Sequence, residues 1–220
     1  MANFDSADLL SRTRALLNRP DTDEGLSDAQ LYVLLGDAQR RLMTLLAFHA
    51  PESNYGAPTL LTTADSGTTY TFGTDADSAN ICPIGHIELR ESKTGAMIPP
   101  ASEWDVSTLA FLFNSDVIRW PGQKSRTFAD GPYARFVTPP GLLNASTAPV
   151  LKPLYARQLI VYDGAERAAI RLGTDPTPFG QMFDALFPEI LQTITTAFHG
   201  VGITATQGGG SSLWWQGFRS

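Results

Sequence analysis

Three histidines and one cysteine are the side chains best suited to hold a metal, and only Cys82 and His86 lie close together, four positions apart. A zinc centre needs a second such pair or a His-Glu-x-x-His helix, and the chain has neither. The other two, His49 and His199, fall where helices are expected to end, positions that favour a cation. Asp75-Ala76-Asp77-Ser78-Ala79-Asn80 spaces oxygen donors as a calcium loop does. It lacks the turn glycine and the closing glutamate, so it reads as a solvated hairpin turn. No serine sits in a Gly-x-Ser-x-Gly elbow, and Gly208-Gly209-Gly210 precedes neither a lysine nor a helix that could cradle phosphate. No carboxylate pair is nominated for acid–base work. The expectation is a chain without catalytic residues, metal or cofactor.

Two clusters point instead to recognition. Arg119, Lys124, Arg126 and Arg135 are interleaved with Trp120, Phe128, Tyr133 and Phe136. That mixture can stack single-stranded nucleic acid, but it also describes strands with aromatics inward and arginines outward, or a protein interface. With 16 basic against 22 acidic residues and a net charge of -6, broad binding to a phosphate backbone is disfavoured. The second cluster is the ending Leu213-Trp214-Trp215-Gln216-Gly217-Phe218-Arg219, which follows the glycines at 208–210 and two serines. Exposed tryptophans are costly on a free monomer, and tryptophan is a frequent interface anchor. Leu213, Trp214, Trp215, Phe218 and Arg219 are therefore the candidate partner-binding residues. The competing reading folds them back onto their own domain.

These groups must be carried by a body, and the periodicity describes one. Leu9, Leu10, Thr13, Leu16 and Leu17 share a side of a first helix that Ser6 can cap and Pro20 stops. Ser27 can cap a longer helix with Leu31, Leu34, Leu35, Ala38, Leu42, Leu45 and Leu46 on its apolar side and Asp37, Arg40, Arg41 and Thr44 on its polar side. From 58 to 150 the texture becomes short β-favouring runs between Gly, Pro, Asn and Asp, with strands expected at 68–72, 84–90, 117–120 and 133–137. Ser102-Glu103-Trp104-Asp105 has capping-box spacing before Val106, Leu109, Ala110 and Phe113, which predicts a brief helix there. Helical spacing resumes near Tyr155, with small residues including Gly164 that admit a close neighbour. Asp163 and Arg167 form an i, i+4 pair expected on its surface, and Gly173 is placed to end it. A last amphipathic helix is predicted over 179–198, with Pro188 kinking or dividing it.

The organisation is thus α+β: N-terminal helices of the core in 1–57, a β-rich insertion in 58–150, helices completing the core in 151–199, and a flexible glycine-rich arm in 200–220. No internal repeat is present. Cys82 alone excludes an internal disulfide. The first residues lack the pattern of a signal peptide, and no run approaches a membrane span. A soluble cytoplasmic protein is expected.

Two opening helices, a β-rich insertion, a small-residue helix and a final helix make an order that resembles the head-to-tail adaptor proteins of tailed bacteriophages, also called connector or head-completion proteins. The stretch from Leu154 to Gly173, LYARQLIVYDGAERAAIRLG, carries most of the likeness, with Trp120-Pro121-Gly122 and the opening helices as support. The resemblance implies a non-enzymatic virion protein, assembled in the host cytoplasm. It would form a ring, commonly a dodecamer, between the portal protein and the tail proteins, with genome DNA passing through unrecognised. An acidic chain suits a channel that must not hold DNA. Another tail-interface or tail-terminator protein has the same composition, and a small hydrolase with a β-rich substrate face is the alternative of another class.

Overall fold

The computed structural model describes residues 4–19, 25–61, 69–72, 83–98, 112–114, 117–119 and 132–199. Four helices carry the body: α1 (Ser6–Leu16), α2 (Asp28–His49), α3 (Gln158–Leu172) and α4 (Thr177–His199). Among the described residues between α2 and α3 lie seven short strands: β1 (Thr59–Leu60), β2 (Thr69–Thr71), β3 (Ile84–Arg90), β4 (Met97–Ile98), β5 (Leu112–Asn114), β6 (Val117–Arg119) and β7 (Tyr133–Val137). The fold is α+β, as expected, with about four helices, and every pairing among the described strands is antiparallel.

Local sequence explains several helix ends. The Ser27 hydroxyl accepts from the Gln30 amide at 3.3 Å while the Gln30 side chain accepts from the Ser27 amide at 2.9 Å, a complete capping box for α2. Gly173 stops α3 in the left-handed conformation (φ 69°) that favours glycine. At α1 the expectation is corrected. Asp5 is the cap, its carboxylate accepting from Asp8 N at 2.8 Å, while Ser6 is already helical and its hydroxyl donates to the Thr147 carbonyl. Near Tyr155 the chain first makes a 3₁₀ turn (Leu154–Arg157), and α3 begins at Gln158. Pro188 does not divide α4, which is one helix of 23 residues. The proline is exposed, so the carbonyl it leaves without a helical donor is on the side open to water.

The helical core is built from Leu9, Leu35, Leu42 and Leu46 of α1 and α2 with Leu159, Ile160, Phe183, Phe187, Ile190 and Ile194 of α3 and α4. On α4 the buried apolar side chains at 183, 187, 190 and 194 recur at intervals of four, three and four, with Leu186 and Leu191 partly buried beside them, and Met182 is left exposed. Helices α2 and α3 approach closely because position 164 has no side chain: a Cβ there would stand 2.6 Å from Cδ2 of the buried Leu35.

The expected surface pair on α3 is also corrected. Asp163 is 1% exposed, and it accepts from Arg41 of α2 at 2.6 Å as well as from Arg167 at 3.1 Å. Arg41, expected on the polar side of α2, therefore turns inward, and its guanidinium also lies over the Phe183 ring at 5.4 Å. Asp163 ties α2 to α3, and Arg41 extends the tie to α4.

The strands form a four-stranded sheet ordered β1-β7-β3-β4 and a three-stranded sheet ordered β2-β6-β5. Their core contains Tyr70, Phe72, Ile87, Leu89, Ile98, Ile118, Ala134 and Phe136, with Phe72 set edge-on to Tyr70 and to Phe136. Position 113, expected in a brief helix, lies in β5, where it pairs with Ile118 of β6. The remainder of that expected helix, 102–110, falls outside the described residues. Strand β3 carries a bulge between Ile84 and Ile87. There Gly85 has φ 70°, and a Cβ would stand 2.8 Å from the Ala47 carbonyl of α2, so the sheet abuts the last turns of that helix through a position only glycine fits.

Candidate partner interface

The predicted partner-binding residues Leu213, Trp214, Trp215, Phe218 and Arg219 lie outside the described residues. So do Cys82, the loop 75–80, and Trp120, Lys124, Arg126 and Phe128 of the mixed cluster. Of that cluster, Phe136 is buried in the sheet core, whereas Arg135 faces the other way, 4.0 Å from Glu88 and over the ring of Tyr55 at 5.4 Å. Burial, followed by the negative charges of Glu52 and Glu88 and partly offset by Arg135, pushes the Tyr55 phenol up to about 12. His49 and His199 close α2 and α4, as their spacing suggested. Among the described residues no three His, Cys, Asp or Glu side chains gather as metal ligands would.

A different feature emerges where the chain returns from β7 to α3. Residues 138–153 form a strap without regular secondary structure, and Pro139, Pro140, Pro149 and Pro153 explain why. Its backbone is held by side chains from three other elements. The buried Gln39 of α2 accepts from Val150 N at 2.9 Å and Leu151 N at 3.4 Å. Asn54, in the 3₁₀ turn Pro51–Asn54, accepts from Lys152 N and donates to Lys152 O, both at 2.9 Å. Arg157 donates to Leu151 O at 2.9 Å, to Phe4 O at 3.1 Å and to Pro149 O. Desolvation lowers the Arg157 pKa from its ordinary value, but a guanidinium remains charged across the physiological range. Asn144 folds the tip of the strap by accepting from Ser146 N and Thr147 N.

With its backbone so held, the strap sends some side chains in and others out. Leu143 and Leu151 enter the helical core. Leu142 (68% exposed) and Val150 (49%) face outward from the strap, and Leu154 (55%) and Tyr155 (44%) do so from the 3₁₀ turn that follows it. Because the backbone of Val150 is already fixed, docking against it would cost little backbone freedom. Sequence reasoning missed Leu142 and Val150 because the strap has no periodicity. The available signal was large apolar residues among prolines, where no regular element can turn them all to one buried side.

No family model and no curated protein matches this chain. No helix among the described residues is long and apolar enough to cross a membrane.

Proposed function

We propose that this chain is a structural virion protein, one subunit of a ring that joins the capsid portal to the tail and continues the DNA channel. The observation that carries the reading is the order of the fold. Two helices, a β insertion and two further helices close into one helical core, with α3 packed against α1, α2 and α4. The likeness to head-to-tail adaptors rests on that same order and on the stretch Leu154–Gly173, which forms a 3₁₀ turn, α3 and its glycine cap. The net charge of -6 supports a wall that DNA passes without being held. Partners are further copies of the chain, the portal protein and tail proteins, and the site of action is the head–tail junction of the particle.

The test is electron microscopy of the purified protein alone and mixed with its portal, with mass spectrometry of intact particles. The expected result is a ring at the portal vertex and this chain among the particle proteins. Particles that lack the chain would overturn the reading.

A further inference from the structure

The end of α4 and the start of α3 share one end of the helical body. Helices α3 and α4 pack together across the short turn 173–176 and so run antiparallel. The 23 residues of α4 rise about 34 Å and the 15 of α3 about 22 Å. The last turns of α4 therefore extend past the start of α3, towards the level of Leu154 and Tyr155. Helix α4 also packs on the turn Pro51–Asn54, whose Asn54 grips Lys152 of the strap. In sequence, Trp214 stands fifteen positions beyond His199, a contour of about 50 Å at full extension. A folded chain of this length is about 45 Å across.

We propose that Val150, Leu154 and Tyr155 form a docking surface for the Leu213–Phe218 segment of a neighbouring copy. The patch and the segment match in chemistry: an aliphatic and phenolic surface on a held backbone receives two indoles and a phenyl ring. The available length matches one subunit width. A contact within the same chain, whose loop-closure cost grows only slowly with length, is the other outcome that the test separates. Head-to-tail docking gives each patch an arm and each arm a patch, the arrangement a closed ring requires. The proposal rests on the ring reading only in requiring a second copy.

Complementation tests it with full-length chains. One variant carries W214A and W215A, and the other carries L154S and Y155S at exposed positions, with thermal melting confirming that both fold. Sedimentation velocity should show self-association of each variant weakened about tenfold or more relative to the unaltered chain, and restored affinity when the two are mixed, because the mixture recreates one intact arm–patch contact. Three results overturn the proposal: variants that associate like the unaltered chain, a mixture no better than either variant, or an unaltered chain that stays monomeric while both variants lose thermal stability, which places the contact within one chain. Absence of the protein from particles would remove the virion reading and leave a positive complementation standing.

Discussion

Replacing Asp163 by asparagine removes one charge and almost no volume, so its effect isolates the ion pairs that join α2 to α3. The carboxylate is buried and meets Arg41 at 2.6 Å and Arg167 at 3.1 Å. Breaking a fully buried pair costs about 3–5 kcal/mol, chiefly because the partner charge is left in a poor solvent. Here the side chains of Arg41 and Arg167 are 27% and 33% exposed, so water relieves part of that penalty. The asparagine oxygen also keeps one hydrogen bond. The expected loss is about 2 kcal/mol, below the range for a fully buried pair. With a urea slope of about 2 kcal/mol/M, the midpoint should fall by about 1 M with the slope unchanged. Far-UV circular dichroism across a urea series measures it. Adding R41M to D163N should cost less than the two single changes summed, because the second change removes the charge that the first stranded. A midpoint within about 0.2 M of the unaltered chain, or strict additivity, would refute the assignment of this carboxylate as the tie between the helices.

Two further outcomes are expected. G85A should destabilise by about 2 kcal/mol or more, since it imposes a side chain at φ 70° and drives a Cβ to 2.8 Å from the Ala47 carbonyl, a backbone atom that cannot step aside; thermal unfolding measures it, and an unchanged midpoint would contradict the close approach. The Tyr55 phenol ordinarily ionises near 10 and here is pushed up to about 12, so between these values the folded chain keeps a proton that the unfolded chain has lost. Its contribution to stability is whole below pH 10 and is lost as pH rises through about 12; Y55F should flatten that alkaline decline and remove one late-titrating tyrosine from the absorbance at 295 nm, and an unchanged slope would count against the shift.

What the sequence determined by itself is whatever neighbouring residues settle among themselves. Ser27 and Gln30 satisfy the first amides of α2 across three positions, Gly173 terminates α3 through its own backbone freedom, and the runs 84–90 and 133–137 emerge as β3 and β7 with those bounds. The outward side of α2 and the surface pair on α3 were misread for the opposite reason. Arg41 and Asp163 are 122 positions apart, and only the packing of α2 on α3 brings the arginine inward and buries the carboxylate. The grip of Gln39 on Val150 spans 111 positions and that of Asn54 on Lys152 spans 98. The strap's outward apolar side is therefore a tertiary fact: a proline-rich segment has no period of its own, and which of its side chains enter the core is decided by distant amides and carbonyls that hold its backbone.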